Sequence, residues 1–128
     1  MAMYLGSDKV ADNFGTSYNL ITDGNEVKTG RMIDGKEEYV KRFSFTIGGK
    51  QADFTKSLGF KLNEVIITNI DGAFLSNSDN TFAINSGVSS AVAYDYVVYC
   101  ASADNTLLVR TYNGNFKSAT INVYYIKK

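Results

Sequence analysis

The fold class is decided by the stretch RMIDGKEEYVKRFSFTI, which spans residues 31–47. From residue 41 onward its residues alternate with a period of two, which is typical of a β-strand with one buried face. The positions predicted to share the inward face are Lys41, Phe43, Phe45 and Ile47. Asp34-Gly35 is a dipeptide that tolerates positive φ and favours tight hairpins. The stretch therefore predicts two strands, residues 31–33 and 37–47, joined by a turn at Asp34-Gly35.

Four further segments have the composition of strands. Residues 64–70 are apolar and β-branched on both faces, which predicts a strand buried on both sides. The other three segments alternate and cover residues 92–100, 106–112 and 118–126. Several short strands at this spacing, with no long repeat, indicate one domain built as a β-sandwich or a barrel.

Turn dipeptides separate these segments at Asp23-Gly24, Asp71-Gly72 and Asn113-Gly114. Asn113-Gly114 lies between two alternating runs, so it predicts a β-hairpin that joins them. Residues 76–80 form a polar loop with no apolar residue. Residues 51–62 place Phe54 and Leu58 four positions apart, and both a short helix and a covering loop remain open there.

The composition argues against several classes of function. Thirteen basic residues balance thirteen acidic ones, which predicts no attraction to nucleic acid or to an anionic membrane. The chain has no histidine, the commonest general base, and no tryptophan. Its single cysteine, Cys100, lies on an apolar strand face, where we expect a buried and inert thiol. No stretch has the 20 apolar residues of a membrane-spanning helix.

Carboxylates alone could still support glycoside hydrolysis. Glu37 and Glu38 are adjacent, so on a strand they point to opposite faces and cannot act as a pair. Asp53, Glu64, Asp71 and Asp95 would have to converge in the fold, and no local pattern indicates that they do. We therefore predict no catalytic residue, no metal ligand and no cofactor, and rank an enzyme last among the hypotheses.

Tyrosines and two polar loops are the candidate binding residues. Tyrosine is rigid and amphipathic, so it suits interfaces and stacking against sugars, although most tyrosines of a sandwich simply fill its core or rim. The loops are residues 76–80 and 103–106. The candidate binding residues are Tyr94, Tyr96, Tyr99, Tyr112, Tyr124, Asn77, Asp79 and Asn105.

A family resemblance joins these observations. Residues 29–42, TGRMIDGKEEYVKR, resemble the hairpin pattern T-G-x-x-I-D-G-K-x-x-Y-x-K/R of C-terminal domains in tailed-bacteriophage and prophage virion proteins. Met32 stands where that family usually has tryptophan, and Glu37 where it commonly has proline. The opening YLGSDKV, residues 4–10, is similar to the Y-L-G-x-x-K-V start of phage structural proteins. The last two strands resemble the closing hairpin of the family.

The resemblance implies an antiparallel β-sandwich of jelly-roll type, assembled as a homotrimer with other virion proteins. Residues 1–22 would be an N-terminal attachment segment and residues 23–128 the sandwich. The implied function is that of a virion structural protein, a small fibre or appendage domain of a tail fibre, baseplate or head fibre. It would be assembled in the bacterial cytoplasm and would bind a host surface glycan or protein. A free-standing carbohydrate-binding module or bacterial lectin is the alternative.

Overall fold

The structure, a computed structural model, describes residues 3–4, 7–8, 23–84 and 96–128. These residues form ten strands and one 3₁₀ turn, Leu62–Glu64. The strands are β1 (Met3–Tyr4), β2 (Ser7–Asp8), β3 (Val27–Ile33), β4 (Lys36–Thr46), β5 (Asp53–Ser57), β6 (Val65–Ser76), β7 (Thr81–Ala83), β8 (Tyr96–Ala101), β9 (Thr106–Thr111) and β10 (Phe116–Lys127).

Eight of the strands form two antiparallel sheets that pack face to face. The larger sheet has the order β3-β4-β10-β6-β7 and the smaller has the order β5-β9-β8. The pairing is nested, because β4 pairs with β10, β5 with β9 and β6 with β7. A chain folded back on itself in this way is jelly-roll-like, so the predicted antiparallel β-sandwich is confirmed.

The core lies between the two sheets and draws on both. The larger sheet contributes inward residues of β4, β6 and β10, and the smaller sheet contributes β9 together with Leu58. The buried core residues are Phe43, Phe45, Ile47, Leu58, Phe74, Ile84, Leu107, Val109, Phe116, Ala119, Ile121 and Val123. The residues that the alternation from residue 41 onward predicted to point inward thus lie on the inward face of β4 and just after it.

The hairpin at the start of the larger sheet forms as predicted. Ile33 pairs with Lys36, so Asp34 and Gly35 are the two turn residues. Both have positive φ, 51° and 76°. This is the geometry of a type I′ turn, whose twist matches that of the flanking strands.

The Asn113-Gly114 prediction was wrong, because this segment joins the two sheets instead of closing a hairpin. It connects β9 in the smaller sheet to β10 in the larger one, and these strands are not neighbours. The Asn113 side chain accepts a hydrogen bond from the Asn115 amide at 2.9 Å. The asparagine therefore forms a local Asx turn, a role that the same dipeptide also supports.

The turn predicted at Asp71-Gly72 was also wrong, because the dipeptide lies inside β6. Gly72 pairs with Ile121 of β10, and a Cβ at Gly72 would lie 2.1 Å from the Thr120 carbonyl oxygen. The glycine is needed for this close approach of two strands. The strand is not buried on both sides either, because Ile66 is 48% exposed.

Neither prediction was right for the centre of residues 51–62, because Asp53–Ser57 forms strand β5. Inward positions Phe54 and Lys56 alternate with exposed Thr55 and Ser57, which is a period of two. Leu58 continues the inward side and is fully buried. The spacing of four between Phe54 and Leu58 is therefore twice the strand period rather than one helical turn.

The structure describes only part of the predicted N-terminal attachment segment, residues 1–22. Strands β1 and β2 pair with each other, and the rest of the predicted attachment segment lies outside the described residues. The first part of the predicted strand 92–100 also lies outside them. Among the residues described, no helix is long and apolar enough to cross a membrane.

Candidate functional site

The predicted binding tyrosines do not come together. Tyr96 stacks on Phe74 with ring centroids 4.0 Å apart, so its ring covers the core. Tyr99 and Tyr112 lie on the smaller sheet and the segment after it, and Tyr124 lies on the outer face of the larger sheet. Tyr94 lies outside the described residues. The tyrosines therefore serve at least three different surfaces.

Tyr124 belongs to a polar network across the outer face of the larger sheet. Arg42 donates to the side-chain oxygen of Asn122 at 3.1 Å, and the Asn122 amide donates to Asp71 at 2.9 Å. Burial and the neighbouring charge of Asp71 raise the pKa of the Tyr124 hydroxyl. These contacts tie β4, β10 and β6 together, so they account for Tyr124 as part of the sheet itself.

We call the outer face of the smaller sheet the tyrosine face. Its members are Val97, Tyr99, Leu108, Asp53 and Arg110, together with Tyr112, which follows β9 and contacts Arg110. Tyr99 pairs directly with Leu108, and both exposed tyrosines leave more than two-fifths of their surface open, 41% for Tyr99 and 44% for Tyr112. Arg110 binds Asp53 through two hydrogen bonds of 2.6 and 2.9 Å. The face thus has an apolar centre beside one paired charge.

A pocket of about 370 Å³ opens at one end of the sandwich, and we call it the asparagine pocket. It is lined by Ser76, Asn77, Ser78, Asn80, Phe82, Asn115 and Phe116. The β6–β7 hairpin supplies five of these residues, and Asn115 and Phe116 come from the start of β10 and the residue before it. Predicted site residue Asn77 therefore lines a cavity, and Asp79 lies in the same loop, where it pairs with Lys117 of β10.

Hydrogen bonds between the loops hold the asparagine pocket in shape. The backbone N–H of Asn77 donates to the Asn115 carbonyl at 2.8 Å, and the side-chain amide of Asn77 donates to the Gly114 carbonyl at 2.7 Å. The hydroxyl of Ser76 accepts from the Asn80 backbone at 3.0 Å. The glycine loop after β4 joins them, since Gly49 donates to the Phe116 carbonyl at 2.8 Å. The cavity is a preformed feature of three linked segments.

Asn105, the remaining loop candidate, lies at the opposite end of the sandwich. It has a φ of 55°, its side chain accepts a hydrogen bond from Leu62 at 2.8 Å, and its carbonyl accepts one from Leu58 at 2.9 Å. The side chain is therefore used to hold the segment that follows β5. The structure assigns Asn105 a structural role and separates it from the asparagine pocket.

That opposite end carries a charged cluster that the sequence did not reveal. Its members, Glu26, Lys41, Tyr125 and Lys127, are called the Glu26 cluster. The Glu26 carboxylate accepts hydrogen bonds from Tyr125 and, at 3.1 Å, from Lys127. Burial opposes the ionised form of Glu26, but these two donors outweigh it and lower the pKa of Glu26. Burial and the Glu26 contact raise the pKa of Tyr125.

Lys41 is the unusual member of the Glu26 cluster because it points into the sandwich. Its ammonium donates to the Leu58 carbonyl at 2.8 Å and lies 5.3 Å from the centre of the Phe60 ring. Burial lowers the pKa of Lys41. A pocket of about 340 Å³ adjoins the cluster, lined by Glu26, Gly59, Phe60, Glu64, Val65, Tyr125 and Lys127. The charges of Glu26 and Lys127 are already paired with each other there.

The acidic residues considered for catalysis lie far apart in the fold. Asp53 is paired with Arg110 on the tyrosine face, Glu64 lines the pocket beside the Glu26 cluster, and Asp71 belongs to the network with Asn122. Asp95 lies outside the described residues. No group of three metal-ligating side chains occurs in the described part of the chain. Burial raises the pKa of Cys100 to about 11, as expected for an unreactive thiol.

Comparisons with known proteins do not assign this arrangement to a family. No family model, no curated protein and no solved structure matches the chain.

Sequence reasoning located part of the asparagine pocket and missed the rest. The polar run at residues 76–80 was a visible signal, because a loop without apolar residues lies on the surface. Phe82 and Asn115 carried no such signal, since each looks like an ordinary strand or turn residue. They become pocket residues only because β10 pairs with β6 and brings Phe116 opposite Ser76.

Proposed function

We propose that this chain is a phage or prophage virion structural protein, a small fibre or appendage domain that assembles with copies of itself and binds a host surface. The observation that carries the proposal is the tyrosine face, whose apolar centre includes the exposed rings of Tyr99 and Tyr112. An exposed apolar surface bordered by polar residues is a candidate contact surface for another protein. The hairpin at residues 29–42, which resembles those of virion proteins, supports the same role.

A second copy of the chain is the occupant that suits the tyrosine face. The formal net charge of the chain is zero, so two copies do not repel each other as whole molecules. The face holds both a cation and an anion, Arg110 and Asp53, which can exchange partners between neighbouring copies. Tyrosine and arginine are also the residue types enriched at protein interfaces.

The size of the face sets how strong this association can be. Three strands of five or six residues cover roughly 250 Å², from a rise of about 3.3 Å per residue and a strand spacing of about 4.8 Å. A stable interface buries about 800 Å² on each partner. The tyrosine face therefore acts together with further contacts, and we expect assembly to depend on protein concentration.

Sedimentation equilibrium between about 1 and 200 µM tests the assembly, which we expect to be a homotrimer. Tyr99→Ser should weaken association by about tenfold, the effect of losing one well-packed interface aromatic. Met32→Ser is the matched control, because Met32 is 62% exposed but lies on the larger sheet. A wild-type chain that stays monomeric over this range contradicts the assembly, and equal effects of both variants contradict the role of the tyrosine face.

The virion assignment is tested separately by mass spectrometry of purified phage particles from an induced host culture. We expect the chain in particle fractions at a stoichiometry divisible by three. Its presence only in the soluble lysate would contradict the assignment.

A free-standing carbohydrate-binding module is the second candidate, and the asparagine pocket favours it. Small-ligand sites are preformed concave pockets with an apolar lining and a few placed polar groups, which describes this cavity. A monomer that binds a defined sugar would support the module over the virion protein.

A further inference from the structure

We propose that the asparagine pocket binds one unit of a neutral, hydroxyl-rich sugar. This inference rests on the host-surface part of the proposed function for its biological setting. It adds the ligand class and the residues that contact it. Three independent features of the pocket lead to it, namely its free amides, its apolar wall and its lack of net charge.

The first feature is a pair of unused side-chain amides. Within the described residues, the side chains of Asn80 and Asn115 make no hydrogen bond, although the backbone of each is bonded. An amide presents one acceptor and two donors side by side. Two neighbouring hydroxyl groups of a sugar present the complementary arrangement, because each hydroxyl both donates and accepts.

Further polar groups surround these two amides. Asn77 uses its side-chain nitrogen to bind the Gly114 carbonyl, and no group among the described residues donates to its side-chain oxygen. The hydroxyls of Ser76 and Ser78 lie 3.2 Å apart and can each reorient. The pocket thus offers several acceptors and donors, as a ligand with several hydroxyls requires.

The second feature is the aromatic wall. Phe82 is partly buried and packs edge-on against Phe116, with ring centroids 6.1 Å apart. Phe116 itself is buried, so Phe82 is the ring that borders the opening. A sugar ring has an apolar C–H side as well as hydroxyls, and contact with Phe82 would remove that side from water.

The third feature is electrical neutrality. None of the residues that line the pocket carries a charge. The nearest charged loop residue, Asp79, is already paired with Lys117. A charged ligand would find no counter-charge among these lining residues, so the pocket favours a neutral sugar over an acidic one. The volume of about 370 Å³ lies at the small end of ligand pockets, which suits a single sugar unit.

Nuclear magnetic resonance titration of the full ¹⁵N-labelled chain tests the proposal. The probes are glucose, galactose, rhamnose and N-acetylglucosamine, with N-acetylneuraminic acid as the acidic comparison. We expect saturable shifts of the Asn80 and Asn115 side-chain amides with at least one neutral sugar. Affinity for that sugar should be insensitive to added salt.

Substitutions then locate the contact. Asn80→Ala and Asn115→Ala should each weaken binding by about tenfold, the net effect of losing one hydrogen bond to the ligand. Asn63→Ala is the matched control, an exposed asparagine at the opposite end of the sandwich, and should bind as the wild type does. Thermal unfolding confirms that all three variants are folded. Phe82→Leu removes the aromatic wall without changing an amide, and it should also weaken binding.

The outcomes separate this inference from the proposed function. Absence of saturable shifts with all four neutral sugars, preferential binding of the acidic one, or an unaltered affinity in Asn80→Ala, Asn115→Ala and Phe82→Leu overturns the inference. A trimer that binds no sugar leaves the assembly proposal standing. A monomer that binds a neutral sugar through Asn80 supports the pocket and removes the assembly.

Discussion

The guanidinium of Arg31 holds the carboxylate of Glu38 in a two-pronged ion pair, with Nε 2.7 Å from Oε1 and Nη2 2.8 Å from Oε2. The hydroxyls of Thr29 and Thr68 also donate to this carboxylate, each at 2.9 Å. Glu38 has no exposed surface, although the Arg31 side chain is 64% exposed. The hydrogen bond from Arg31 is the largest influence on the carboxyl, and the pKa of Glu38 falls to about 2 despite its burial.

This pair predicts a specific loss of stability in acid. The pKa of Glu38 in the unfolded chain is about 4.3, so the folded state binds the proton less tightly. The stabilisation is therefore complete above about pH 5 and is lost as the pH falls through about 4 toward 2. Glu38→Gln should be less stable than the wild type at pH 7, and the gap should close below pH 4. Urea unfolding at several pH values measures it, and a gap that is constant with pH contradicts the assignment.

The same hairpin offers an internal comparison between a buried and an exposed ion pair. Arg31→Ala leaves the Glu38 carboxylate buried without its cation, so it should clearly lower the free energy of unfolding. Lys28→Ala breaks the pair between Lys28 and Glu37, whose side chains are 63% and 49% exposed, so it should lower the free energy of unfolding much less than Arg31→Ala does. Both are measured by urea unfolding at pH 7. Equal losses would mean that burial of Glu38 does not strengthen the pair.

The parts of this fold that could be predicted are those with a local cause. The Asp34-Gly35 turn depends on positive φ at two adjacent residues, and the alternation from Lys41 to Ile47 depends only on the pleat of one strand. Both causes are contained in a few consecutive residues. The sandwich class followed from the sum of such segments.

The parts that could not be predicted depend on distant pairing. Asn113-Gly114 would suit a hairpin, but β10 pairs with β4 and β6, so the dipeptide must lead from one sheet to the other. Gly72 looks like a turn residue until Thr120 is known to lie against it. The asparagine pocket has the same origin, because its lining comes from two segments far apart along the chain.

Gly72 yields a third prediction. In Gly72→Ala the new methyl group would lie 2.1 Å from the Thr120 carbonyl oxygen and 2.9 Å from the Ile121 Cα, so β6 must move away from β10. We expect a loss of about 4 kcal/mol or failure to fold.

Gly30→Ala is the matched control for this substitution. Gly30 also has a positive φ, 87°, but nothing lies within 4 Å of the place that a Cβ would occupy, so only backbone strain of about 1 kcal/mol is expected. Thermal unfolding distinguishes the two variants. If Gly72→Ala is no more destabilised than Gly30→Ala, the close approach of β6 to β10 is not as tight as described.

Lys41 leads to a second prediction about pH dependence, because its charged form destabilises the fold whereas the charged form of Glu38 stabilises it. Its side chain is 9% exposed, and burial lowers its pKa, with the Lys127 charge adding to this effect and Glu26 opposing it. A lysine whose pKa is lower in the folded state binds its proton more tightly when the chain unfolds. The group therefore weakens the fold at neutral pH, and this penalty disappears as the pH rises through the lowered pKa. Lys41→Met removes the proton equilibrium while keeping an unbranched apolar stem of similar length.

Lys41→Met should therefore be stabilised relative to the wild type by more at pH 7 than at pH 10. Part of the gain at pH 7 is offset because the Leu58 carbonyl loses its donor. Urea unfolding at intervals between these pH values measures the slope, and Lys50→Met, at an exposed loop lysine, controls for the loss of a lysine as such. A slope for Lys41→Met that matches the control would mean that the Lys41 ammonium is hydrated in solution, and that it does not lie between the sheets.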